Sequence, residues 1–277
     1  MIVRIPARQK LLSPDGSWLP ASKRIGTTNL VTYVDGKFLA APAEISPAKD
    51  SIVIEHKTGS QRVLHLCEPV DVMLDGRWNN SSNFIDHPSS RSSITELIKV
   101  CNIITVPRHI PIFGTESISS NWANLVAASA PIGFTAAVPD YFTLLDEKSL
   151  RLALGSYMRE RFPGLKIEGM RPALRIKLFN IYKLNKASRP LLVQLFARLG
   201  MVAKTRRTAS LYISDKTSLK ILSSIAGIHQ FKNINFDKTM HDWIWKVDPI
   251  GVESTVMVET EADNICDGLM VWRQSQA

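Results

Sequence analysis

The sequence predicts an α+β protein in which an all-β domain is assembled from both chain ends and interrupted by a mixed α/β domain. Three observations predict it. Alternating apolar runs bounded by Asp-Gly and Pro turns fill residues 8–78. Helical apolar spacing dominates only from residue 121. The strand pattern then returns after Lys238. The resulting spans are 1–115 and 239–277 for the β domain and 116–238 for the insertion.

The elements follow from local chemistry. LLSPDGSW and TYVDGKFLA each centre on a turn-forming Asp-Gly, and SIVIEHKTGSQRVLHL reads as two strands joined at Lys57-Thr58-Gly59-Ser60. NNSSNFIDHPSSRSS is a polar loop without apolar periodicity. ITELIKVCNIITVPRHIPIFG then reads as a short helical or turn segment and a strand broken by Pro107 and Pro111. NWANLVAASAPIGF is helical until Pro131, and DEKSLRLALGSYMRERFPG is an amphipathic helix with Leu150, Leu154 and Met158 on one face. LKIEG and ALRIKLFNIYKL are strands, the second alternating Arg175 and Lys177 with Ile176 and Leu178. ASRPLLVQLFARLG is a helix with Ser188 as N-cap and Gly200 as stop. TASLYIS is a strand and DKTSLKILSSIAGI a helix. HDWIWKVDPIG, ESTVMVET and GLMVW complete the chain as three strands.

Composition narrows the function classes. With 45% hydrophobic and 21% charged residues, the chain has the balance of a globular protein. No apolar run approaches the roughly 18 residues of a membrane span, and the start MIVRIPARQK lacks a secretory apolar core. Cys67, Cys101 and Cys266 are far apart and form no metal-ligand spacing, as expected of reduced buried residues in the cytoplasm. The net charge of +9 is uneven. Residues 151–210 hold fourteen Lys or Arg against Glu160 and Glu168, a local +12 that leaves −3 for the rest. Such a face suits a polyanion, nucleic acid above all.

Several phrases, in this order along the chain, resemble an intein carrying a LAGLIDADG (dodecapeptide-type) homing endonuclease. They are QKLLSPDGSW, TGSQRVLHLCEPVDVMLDGRW, ELIKVCNIITVPRHIPIFG, FTLLDEKSLRLALGSYMRERFPGLKI, NKASRPLLVQLFARLGMVAKTRRTASLYISDKTSLKILSSIAGI and WKVDPIGVESTVMVETEADNICDGLMVW. The resemblance implies a Hint splicing domain built from both ends, with a LAGLIDADG-like domain between them.

Splicing in that family needs a first-position nucleophile, a Thr-x-x-His unit that polarises the peptide, and a terminal His-Asn pair followed by a second nucleophile. By the resemblance, the first position falls near Val3 or Arg4. Leu66 and Pro69 occupy the Thr-x-x-His positions, with His65 and Cys67 pointing to the other side of the strand. Trp272 and Arg273 replace His-Asn, and Gln274 stands where the nucleophile belongs. In the dodecapeptide counterpart, Ile132 replaces the metal-binding Asp. No catalytic residue and no metal ligand is therefore expected, and Mg only if cleavage survived through Asp140, Asp146 or Glu147. Those acids also suit turn and helix-start roles.

What the resemblance leaves is binding. The nuclease sheet of the family lies in the DNA major groove, and its basic counterparts here are Arg175, Lys177, Lys183, Lys186, Lys204, Arg206 and Arg207. DNA is the expected partner and RNA the alternative; Tyr182 and Tyr212 suit either a place beside the basic residues or, as the first expectation, core or half-buried strand roles. The expected protein is a cytoplasmic, catalytically degenerate binder that makes no use of a membrane. The rival expectation is a phage-type structural or adaptor protein, associated with the virion, in which the C-terminal strand and Trp272 anchor a protein partner.

Overall fold

The computed structural model describes residues 1–60, 62–67, 70–74, 77–80, 103–129, 138–161, 176–180, 188–205, 210–213, 215–227, 234 and 239–274. The chain divides into two compact units. Unit 1 is Met1–Pro107 with Thr239–Ala277, and unit 2 is Arg108–Lys238.

Unit 1 is organised by two 22-residue strands, β5 (Lys37–Thr58) and β13 (Thr239–Thr260), paired antiparallel from Ile244 opposite Thr58 to Thr260 opposite Ala43. The two strands expected from HDWIWKVDPIG and ESTVMVET are one. Pro249-Ile250-Gly251 is a register break rather than a turn, with Gly251 at φ 117°. A bulge tolerates a proline and bends the strand without ending it. β4 (Gly26–Val34) joins β5 through Asp35 and Gly36, at φ 49° and 79°. Both turn residues are left-handed, which matches the twist of a two-residue hairpin. Asp-Gly also closes the small hairpin of β2 (Lys10–Leu12) and β3 (Trp18–Pro20), with Gly16 at φ 81°.

The segments from either end of the chain share this sheet. β1 (Ile2–Pro6) pairs with β13 from Ile2 opposite Glu259 to Pro6 opposite Thr255. β6 (Val63–Leu66) pairs with β5. β7 (Val70–Leu74) pairs with β8 (Arg77–Asn80), and β9 (Ile103–Pro107) pairs with β13. β14 (Ile265–Cys266) links β4 to β15 (Val271–Gln274), which in turn pairs with β7. Alternating side chains of these strands, among them Val3, Ile5, Ile45, Leu64, Leu66 and Val258, form the core.

Unit 2 is built on helices. α1 (Ser120–Ser129) buries Ala123 and Ala127, small residues that let it pack closely on α2 (Glu147–Arg161). Asp146 caps α2, its Oδ1 accepting the N–H of Ser149 at 2.6 Å and its Oδ2 the hydroxyl of Ser117 at 2.6 Å. Glu147 pairs with Arg151 one turn on. Leu150, Leu154 and Met158 are each 0% exposed, so the apolar face read from the sequence is the buried one. α3 (Ser188–Arg198) is buried nearly all round and ends at Gly200, φ 73°. The expected N-cap Ser188 is instead its first residue, and the Ser188 Oγ accepts the N–H of Val138 at 3.2 Å. β10 (Ile176–Asn180), β11 (Lys204–Thr205) and β12 (Ser210–Ile213) form a three-stranded sheet with β12 central. α4 (Lys216–Ile225) starts on Asp215, whose Oδ1 accepts the N–H of Ser218 at 3.0 Å and pairs with Arg108.

Gly155 of α2 lies against α4 so closely that a Cβ there would stand 2.0 Å from the carbonyl oxygen of Ile225. A backbone atom cannot swing aside as a side chain can. Gly155→Ala is therefore expected to destabilise the protein by about 1–3 kcal/mol through overpacking, read as a lowered urea midpoint. An unchanged midpoint would refute the close helix contact.

Candidate functional site

In unit 1, β1 and β5 both lie against β6. Leu64 and Leu66 turn inward, and His65 and Cys67 take the opposite parity. Cys67 Sγ donates to the carbonyl of Arg4 in β1 at 2.9 Å. Beside it, Gln9 Oε1 accepts the backbone N–H of His65 at 3.2 Å and stands 2.9 Å from His65 Nδ1. A backbone N–H can only donate, so this contact fixes the amide's orientation. Gln9 Nε2 then donates to Asp267 Oδ2 at 3.1 Å. On the other side of the ring, His65 Nε2 lies 3.3 Å from Glu55 Oε2, and Lys57 Nζ lies 2.5 Å from Glu55 Oε1. The hydrogen bond with His65, aided by Lys57 and opposed by burial, holds the Glu55 carboxyl down at about 2.

The chain Glu55–His65–Gln9–Asp267 ends in the interior. Asp267 is 0% exposed. Its Oδ1 accepts the N–H groups of Leu269 and Met270, each at 2.8 Å, and its backbone carbonyl accepts the indole N–H of Trp18 at 2.6 Å. Burial pushes the carboxyl up to about 6 against the Leu269 and Met270 N–H donors and the Arg62 charge. Arg62 is itself buried and donates to the carbonyls of Leu269 and of Pro107, the latter at 2.7 Å. Burial also raises the thiol of Cys266, leaving it protonated and unreactive. The result is a polar clamp on the 267–270 turn, immediately before the last strand. It offers carboxylate, imidazole and amide groups, already engaged with one another.

Glu55 gives the cluster a pH signature. Its folded value lies below the ordinary 4.5, so its contribution is present above that pH and lost as pH falls through 4.5 toward about 2. Glu55→Gln is expected to flatten the acid limb of the stability profile in that window, measured by urea unfolding at stepped pH. A variant that loses stability in parallel with the wild type would contradict the pairing.

The residues standing at the splicing positions are placed as follows. Leu66 is 2% exposed and packs in the core. Trp272 is 1% exposed, opposite Val72 and Ile265. Its indole is thus enclosed by its own sheet. Arg273 is opposite Asp71, and Gln274 opposite Val70. Pro69 and Ile132 lie outside the described residues.

Of the basic residues expected to meet nucleic acid, Lys177 and Lys204 are brought together. Each pairs with Tyr212 of β12, and Lys204 is exposed. Arg175, Lys183, Lys186, Arg206 and Arg207, with Tyr182, lie outside the described residues. Among the described residues no group of three or more His, Cys, Asp or Glu could hold a metal, and no helix is long and apolar enough to cross a membrane.

Sequence reasoning missed Gln9, Glu55, Arg62 and Asp267 as a cluster. The Asp-Gly of Asp267-Gly268 marked the turn, but nothing in the sequence announced what its carboxylate would meet.

No protein-family model matches this chain, and no curated protein matches it. Among solved structures, a crystal structure of a mutant of an Ssp DnaB mini-intein variant is similar over 98% of this chain and 99% of that one, at 9% sequence identity and a TM-score of 0.43.

Proposed function

We propose that this chain is an intein-derived scaffold that no longer splices and that binds nucleic acid through its basic segment. The observation that carries the binding is the concentration of charge, +12 within residues 151–210 of a chain whose total is +9. That segment falls within unit 2. Surplus Lys and Arg on one segment attract phosphates by counterion release, without requiring a catalytic group.

The loss of splicing follows from side-chain chemistry. The buried aliphatic chain of Leu66 has no proton to give a peptide, and Trp272 is fixed in the core. Gln274 offers an amide where a hydroxyl or thiol must attack. The intein origin rests on the ordered phrases of the sequence and on a β unit assembled from both ends of the chain around a separate unit.

A gel-shift assay of the full chain with mixed-sequence duplex and single-stranded DNA or RNA at low salt tests the binding. A retarded band is expected, and a chain that leaves every nucleic acid free would overturn it. Intact mass after adding a reporter segment at each end tests the splicing half. The expected mass is that of the unprocessed fusion, and excision of the chain would overturn it.

A further inference from the structure

Gln9 joins His65 of β6 to the turn before the last strand. It is 4% exposed, so its amide depends on protein partners rather than on bulk water. An amide has one accepting end and one donating end. Oε1 accepts the backbone N–H of His65 at 3.2 Å, and Nε2 donates to Asp267 Oδ2 at 3.1 Å and toward the carbonyl of Lys10 at 3.4 Å. A backbone N–H and a backbone carbonyl cannot exchange roles, so together they hold the amide in one orientation. In that orientation Gln9 meets Asp267 with a donor. Oδ1 of Asp267 is already taken by the N–H groups of Leu269 and Met270, each at 2.8 Å. A proton added to the carboxylate therefore goes to Oδ2, where it faces Gln9 Nε2.

We infer that Gln9 is an acid-sensitive latch, tying β6 to the 267–270 turn while Asp267 is ionised and letting go when Asp267 takes up a proton. Two donors then meet. Reversing the amide gives no escape, because it sets Nε2 against the His65 N–H and Oε1 against the Lys10 carbonyl. Arg62 holds the carbonyls of Leu269 and Pro107 in either state. It keeps the turn in place, and Gln9 senses the proton. The inference is independent of nucleic-acid binding.

The surrounding groups place the change on Asp267. Arg62, from the segment before β6, opposes proton uptake with its charge, and Trp272 of β15 faces the carboxyl with an indole that does not titrate there. The thiol of Cys266 on β14 is raised by burial and stays protonated. On β5, Glu55 is held down at about 2 beside His65 and Lys57, and His56, lowered to about 4 by burial, stays neutral near pH 6. Trp18 of β3 gives its indole N–H to the Asp267 carbonyl, with Lys10 of β2 over its ring at 4.7 Å. Since burial raises Asp267 to about 6, the latch is closed above that pH and opens below it. A buried glutamine often does no more than satisfy its neighbours, and that role costs the same at any pH.

The test is the urea midpoint of Gln9→Met in the full chain, because methionine fills the space of glutamine without an amide. The substitution should lower the midpoint by about 0.5 M or more near pH 8, and by less than half as much near pH 5. In an Asp267→Asn background the cost of Gln9→Met should no longer depend on pH. An equal cost at both pH values, or a pH dependence that survives Asp267→Asn and so belongs to His65, would overturn the inference. Should either variant fail to fold by circular dichroism, the wild-type chain decides by NMR. The side-chain amide signals of Gln9 should then shift with an inflection near pH 6. Flat signals through that window would overturn the latch.

Discussion

Arg62→Ala is expected to cost about 3–5 kcal/mol of stability, a large share of what a protein of this size has. Arg62 is 2% exposed, and its guanidinium holds the carbonyls of Leu269 and Pro107. Removing it leaves two buried acceptors without their donors and withdraws the positive charge facing Asp267. Arg62→Lys should recover only part of the loss, because an ammonium lacks the planar fork that serves two carbonyls at once. Urea unfolding at neutral pH provides the number. A midpoint within 0.5 M of wild type, by the usual scale of about 1–3 kcal/mol per molar urea, would show that the clamp is not held by this residue. The loss should also shrink below about pH 6, where Asp267 takes up a proton and its charge no longer needs compensation.

Asp267 produces the second large effect, with the opposite sign from an ordinary surface carboxylate. Its folded value is raised from 3.8 to about 6 by burial. Burial favours the protonated form, and the N–H groups of Leu269 and Met270 and the Arg62 charge offset only part of that. The stabilisation is fully present below pH 3.8 and is lost as pH rises through about 6. The gap corresponds to about 3 kcal/mol. Asp267→Asn removes the titration and sets an amide against Gln9 Nε2, so the variant should be less stable than wild type at acid pH. Wild type should gain on it by up to about 3 kcal/mol between pH 7 and 4, the other groups titrating alike in both proteins. Parallel profiles would show that Asp267 is not the buried acid described.

The parts of the fold that were legible in the sequence are those whose signals are local. Asp35-Gly36 and Gly16 specify their turns because few other residues tolerate their backbone angles. Leu150, Leu154 and Met158 recur at the helical period and are buried together. His65 and Leu66 fall on opposite parities because alternation along a strand is strict. Non-local pairing left no such mark. Gln9 meets His65 and Asp267, 56 and 258 residues away, and no local pattern records a contact of that range. Arg62 reads as a surface residue until the carbonyls that enclose it are known. The Pro249–Gly251 break resembles a turn, and only pairing with β5 on both sides makes it a bulge. The burial of Trp272 was illegible for the same reason, since an exposed aromatic on a strand is indistinguishable by sequence from one covered by its own sheet.

Binding through charge without splicing is the central claim, and the salt dependence of affinity tests its binding half most directly. Anisotropy titrations of short labelled single and double strands between about 50 and 200 mM salt should give a log–log slope of about −3 or steeper, the mark of roughly four neutralised phosphates. A slope near zero, or no binding at the lowest salt, would contradict the account.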